Sequence, residues 1–182
     1  MSDVIIEEGG SVSGVHELGT LMGAPHFTQI QYDNVCRFMI YFSIAESKLA
    51  PMRDGLRGTD TLAHELVSNG CVDHQVIEDS YLFFIERYRD NAQSANRFNK
   101  LVPDQFVGPA LKARFVALLH IQAPTLEEKV SLVYKVIFRL RHNLFHGEKW
   151  SYNLKGQDGN FSHAVNVLLS CLTLSRQVMW QA

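Results

Sequence analysis

The chain has 182 residues, a formal net charge of −2, 46% hydrophobic residues and 20% charged ones. That length suits one domain burying roughly 70% of the surface its unfolded chain exposes. The charge excludes a whole-molecule attraction to nucleic acid, so any such contact must rest on a local patch. No apolar run approaches the ~20 residues of a membrane span. Cys36, Cys71 and Cys171 are too few and too scattered for a disulfide framework. With an acidic start and no basic-then-apolar leader pattern, a reduced, cytoplasmic protein with no membrane contact is expected.

Residues 1–25 concentrate glycine and serine around 9–14 and 19–23 and offer little for a packed face. They are expected to form a flexible N-terminal arm, with at most a short strand at Val4, Ile5 and Ile6. The remainder, 26–182, is expected to be one helical bundle. From about Thr28, Val35, Phe38, Met39, Phe42, Ala45 and Leu49 recur at helical steps until Pro51 and Gly55. A short helix is expected over 61–67, closed by Asn69 and Gly70. A long helix follows over 73–90, with Ile77, Tyr81, Phe84, Ile85 and Tyr88 inward. Residues 91–107 read as a loop or frayed end, and Pro109 opens a shorter helix through Phe115 and Leu119.

Thr125 and Glu128 form a capping box. Leu126, Val130, Val133, Ile137, Leu140 and Leu144 then alternate steps of four and three, predicting a helix with a single apolar seam that stops at Gly147. After a loop over 150–160, Asn160 or Ser162 is expected to cap a last helix. Four long helices and one or two short ones, with no hairpin signal, predict an all-α antiparallel up-and-down bundle.

The helix opened by Thr125 carries the candidate chemistry near its end. Lys135, Arg139, His142 and His146 fall at i, i+4, i+7 and i+11, a second stripe expected to face outward. Lys135, Arg139, Arg141 and Lys149 stand there against Glu148 alone. A solvated face beside a helix C-terminus would also favour such cations, by about 0.3–1 kcal/mol each. Two histidines, however, are suited to moving protons near neutral pH. Arginines beside them suit the stabilisation of phosphoryl oxygens. On a regular helix Arg141 and His146 project roughly 140° apart. Either the helix end unwinds, or the arginine reaches around, or Arg139 is the better phosphate ligand.

Arg141-His142-Asn143-Leu144-Phe145-His146 resembles the signature of HEPN domains: an arginine, a polar residue, three further residues, then a histidine. The looser form of that motif also admits Arg139. The wording is similar to that of small prokaryotic members. The resemblance implies a metal-independent, cofactor-free endoribonuclease that cleaves single-stranded RNA through its 2′-OH and leaves 2′,3′-cyclic phosphate ends. It implies a homodimer with the active site where two copies meet. His146 would be the general acid or base, Arg141 would hold the scissile phosphate, and His142 would orient the site. Asn143 is a polar neighbour without an assigned role. Arg139, Lys135 and Lys149 would add phosphate contacts. A toxin or defence setting, with a cognate antitoxin or regulator, also follows from the resemblance alone.

Two rival readings remain. A non-catalytic HEPN-like module would bind RNA, nucleotide or protein. Alternatively His142 and His146, one turn apart, would clamp a metal with Glu148, Asp158 or His163, although Asn143 stands where an HExxH glutamate would be. Tyr81, Phe83, Phe84 and Tyr88 read first as core aromatics. Arg87, Arg89, Arg97 and Lys100 flank them and would widen a basic groove, diminished by Glu86 and Asp90.

Overall fold

A computed structural model describes residues 14–24, 27–105, 107–146 and 154–180, and among them there is no strand. Among the described residues eight α-helices follow one another: α1 Gly14–Leu21, α2 Gln29–Lys48, α3 Thr59–Ser68, α4 His74–Ile85, α5 Ser94–Leu101, α6 Pro109–His120, α7 Leu126–Phe145 and α8 Asp158–Ser175. A 3₁₀ stretch, Ala50–Gly58, links α2 to α3, and a π turn, Glu86–Asp90, extends α4. No described helix is long and apolar enough to cross a membrane.

Local chemistry sets most boundaries. Thr28 caps α2 and Thr125 caps α7, each through a reciprocal bond with the residue three positions on. The Asp73 carboxylate accepts from the backbone N–H groups of Gln75 and Val76 at the start of α4. Gly70, with φ +64°, supplies the left-handed turn after α3. The last helix starts earlier than expected, with Gln157 in the cap position. Asn160 is engaged inside instead: it donates to Gln157 Oε1 at 2.7 Å and accepts from the Tyr88 hydroxyl at 3.3 Å.

The core is built around α7, which packs on α3, α4, α5 and α6. Its residues 130–140 are all buried, so the helix has no solvent face over three turns. The expected single seam is therefore too narrow; a helix enclosed on every side is apolar on every side. Beside it α2 lies along α8, joined by the Phe38–Phe161 ring contact, while Phe42 meets Phe138 of α7 edge to face at 5.2 Å. Val35, Phe38, Phe42, Ala45 and Leu49 are buried as the pattern predicts, but Met39 is surface-exposed.

Three further differences from the sequence reading stand out. Residues 14–24, assigned to the arm, include α1, which sets Val15, Leu18 and Met22 against the core; Val4, Ile5 and Ile6 lie outside the described residues. The stretch 91–107 contains α5, anchored by buried Phe98 and Leu101. Finally, α2 and α8 run parallel: Gln31 reaches Asp158 at their N-terminal ends, and the Lys48 ammonium sits over the Trp180 ring at the other. Strict up-and-down alternation of four helices would make the first and last antiparallel. The short helices α3, α5 and α6 add reversals that the count of long helices omits.

Candidate functional site

The motif occupies the last turn of α7. Intrahelical bonding persists to its end, where the backbone N–H of His146 donates to the carbonyl of His142 at 3.0 Å. The helix therefore does not unwind between Asn143 and Phe145. His146 takes the terminal position at φ −87° and ψ 12°, one residue before the expected stop; Gly147, Glu148 and Lys149 lie outside the described residues.

Five candidate side chains of this last stretch divide into two groups. Arg139 and Asn143 point inward. Arg139 is 3% exposed; its Nε donates to the Leu101 carbonyl at 2.9 Å and its Nη2 to Asn143 Oδ1 at 2.8 Å. Asn143 is fully buried, and its Nδ2 lies 3.1 Å from the carbonyls of both Lys100 and Leu101. The pair thus satisfies the C-terminal carbonyls of α5, which a helix end otherwise leaves unbonded. Arg139 therefore does not stand on an outward stripe, and Asn143 faces the interior with it. Both clamp α5 onto α7.

Lys135 also faces inward, against the outward stripe expected of it. It is 1% exposed and bonds the Thr59 hydroxyl and, at 3.1 Å, Asp60 Oδ1, which also accepts from the Ser131 hydroxyl. Burial pushes the Lys135 ammonium below its ordinary pKa, with Asp60 opposing the shift. Burial likewise works against the Asp60 carboxylate, but Ser131, Lys135 and Arg114 outweigh it and hold its pKa below normal. The network ties α3 to α7, with Lys135 and Ser131 buried and Asp60 at its half-exposed edge.

Arg141, His142 and His146 form the outward group. The Arg141 guanidinium stacks on two rings, 5.6 Å from the centroid of Phe42 and 4.8 Å from that of Phe145. It lines a cleft of about 140 Å³ together with His142, Phe138, Leu56 and Glu46, and the buried Arg139 also reaches its wall. The His146 ring is exposed and lies 4.1 Å, centroid to centroid, from the half-buried ring of His142. His142 therefore joins the arginine cleft to the histidine at the helix end. Phe42 and Glu46 were missed as site residues. The fourfold step from Phe42 to Glu46 on α2 carries no motif, and only the packing of α2 against α7 reveals it. Phe145, 57% exposed, adds an apolar face next to His146.

No family model, curated protein or solved structure matches the chain. The site is therefore read from its own chemistry.

Burial, reinforced by the charges of Arg139, His146 and Arg141, pulls the His142 pKa from 6.5 to about 4. At neutral pH His142 is thus a neutral hydrogen-bonding group. Its folded pKa lies below the unfolded one, so the unfolded chain takes up this proton first as the pH falls. Stability present above pH 6.5 is lost on acidification towards about 4. Allowing for partial exposure, the loss by pH 5 is about 1 kcal/mol. Urea unfolding should show wild type losing that much more stability between pH 7 and 5 than His142→Gln. Equal losses would contradict the assignment.

Of the third ligands considered for a metal, Glu148 lies outside the described residues and His163 and Asp158 have other contacts. His163 stacks on Phe83 at 4.3 Å and shares a hydrogen bond with Ser80; Asp158 accepts from Gln31. Among the described residues no three His, Cys, Asp or Glu side chains gather at metal-binding distance. Tyr81, Phe84 and Tyr88 are buried, and Arg89 pairs with Asp90 at 2.5 Å.

Proposed function

We propose that the chain is a HEPN-type endoribonuclease that cleaves single-stranded RNA by attack of a 2′-OH on the adjacent phosphate, without a metal. The carrying observation is that Arg141 and His142 line one cleft near the end of α7 and the His142 ring meets the exposed ring of His146, while Lys135 and Arg139 of the same helix are buried. Cleavage requires a proton taken from the 2′-OH, a proton given to the leaving 5′ oxygen, and fixed positive charge on the phosphate. Arg141 supplies the charge, held ready by its two rings. His146 exchanges the protons from an exposed position, and neutral His142 orients it.

One copy offers one exposed histidine of this group, whereas the reaction uses both an acid and a base. A homodimer that brings two His146 side chains to one phosphate meets that need, and the exposed Phe145 gives the contact an apolar component. The four helices α2, α4, α7 and α8 would be the HEPN core, with α3, α5 and α6 packed around it. Toxin or defence activity, with a regulator protein, belongs to the same proposal.

The test is incubation of purified protein with single-stranded RNA in the presence and absence of a chelator. Equal cleavage in both supports the proposal. Activity abolished by the chelator favours metal chemistry at His142 and His146, and binding without cleavage favours the non-catalytic module.

A further inference from the structure

A second concave feature lies beside α5, floored by buried Tyr88 and Gln157. It is an open cleft of about 450 Å³ between the π turn, α5 and the start of α8, lined by Arg87, Arg97, Lys100 and Lys155 with the amides of Gln93 and Asn96. The whole chain has 17 Lys and Arg against 19 Asp and Glu. Four cations around one cleft, with no carboxylate in its wall, run against that average. None of the ion pairs among the described residues includes any of the four. Like charges held together in a concavity repel one another and raise the local positive potential, which favours an anionic occupant.

The cleft is also organised. Arg87 Nη2 donates to the Gly156 carbonyl at 2.7 Å, which fixes that guanidinium and the start of α8 together. Arg97 Nη2 is steadied by Gln93 Oε1 at 3.2 Å. Lys100 stands at the α5 end that Asn143 clamps to α7, through its carbonyl 3.1 Å from Asn143 Nδ2. The basic wall is thereby anchored one helical turn from His146. Tyr88, the aromatic of the wall, is buried beneath it, so the cleft offers charges and amides and no open ring face for an enclosed base. Such a lining suits a phosphodiester chain followed along its backbone.

We infer that this cleft binds the backbone phosphates of the single-stranded RNA and leads the strand to Arg141 and His146. Naming RNA as the ligand rests on the function proposed above; the site itself rests on the cleft. Arg97, Lys100 and Lys155 make the phosphate contacts, and Arg87 holds the cleft's shape.

The experiment measures binding of a short fluorescein-labelled oligouridylate by anisotropy, with the full chain carrying His146→Ala to prevent turnover. Adding Arg97→Ala, Lys100→Ala and Lys155→Ala should weaken binding on the order of 100-fold at about 0.1 M salt and reduce the salt slope by about two. Circular dichroism checks that the fold is retained, as expected for partly or fully exposed side chains. Unchanged affinity and slope would overturn the inference, as would binding of a nucleoside triphosphate with none of the oligouridylate. Failure of the two readings separates cleanly. Wild type that binds RNA through the cleft but never cuts it retains the cleft and loses the nuclease. Cleavage with the same KM in wild type and the triple variant retains the nuclease and loses the cleft.

Discussion

His146→Ala is expected to lower RNA cleavage by about 10²–10⁴, the usual contribution of a positioned acid or base. The unfolding midpoint and helical circular dichroism should stay at wild-type values. The two halves of this expectation have separate causes. His146 is exposed at the cap just beyond α7, after the buried run has ended, and its ring meets that of the half-buried His142, so its imidazole adds little to the core. Its backbone N–H still closes the final turn onto the His142 carbonyl, and alanine keeps that bond. Cleavage at the wild-type rate in this variant would remove His146 from the chemistry. Arg141→Ala should impair cleavage comparably, through lost charge on the phosphate, while also uncovering the Phe42 ring. The His146 variant is accordingly the cleaner of the two.

Arg139→Ala should behave in the opposite manner. Removing a buried guanidinium leaves Leu101 with one donor fewer and Asn143 Oδ1 without the bond it accepts from Arg139. The expected cost is on the order of 3 kcal/mol, read as a lowered urea midpoint and faster hydrogen exchange across α5. Arg139→Lys should recover little, because one ammonium cannot reach two acceptors in the planar fork geometry of arginine. A stable Arg139→Ala protein with impaired RNA binding would restore Arg139 to the ligand role first read from its spacing. A destabilised one supports the clamp seen between α5 and α7.

The different fates of Arg139 and Arg141 mark where the sequence was legible. Capping chemistry was readable, because Thr125 and Glu128 need only each other and their own backbone to act. The same holds for the α2 stripe and the turn at Gly70. Enclosure of α7 was readable in principle: eight of the eleven residues 130–140 are apolar, too many for one seam. Lys135 and Arg139 inside that run were the misleading signal, since a charged residue at helical spacing suggests a wet face. Their partners, Asp60 and the Leu101 carbonyl, lie far away in sequence on α3 and α5. The helix α5 itself gave little warning, for it has no side-chain cap and buries only Phe98 and Leu101.

At the site, the identity of Arg141, His142 and His146 was legible as a short motif, and their division from Arg139 and Asn143 was not. That division depends on which neighbours pack against the end of α7. The aromatic bracket around Arg141 and the lowered basicity of His142 arise in the same way, from tertiary contacts. The basic cleft was half legible. Arg87, Arg97 and Lys100 are near in sequence, but Lys155 joins them only through the approach of α8.

The central claim is that imidazole and guanidinium groups at the end of α7 promote attack by the 2′-OH. It is tested most directly by the ends of the RNA fragments produced in chelator. The account predicts 2′,3′-cyclic phosphate on one fragment and a free 5′-hydroxyl on the other, both formed about 10²–10⁴-fold more slowly with His146→Ala. Fragments carrying 5′-phosphate and 3′-hydroxyl ends would show that water, not the ribose, attacks the phosphate, and would contradict it.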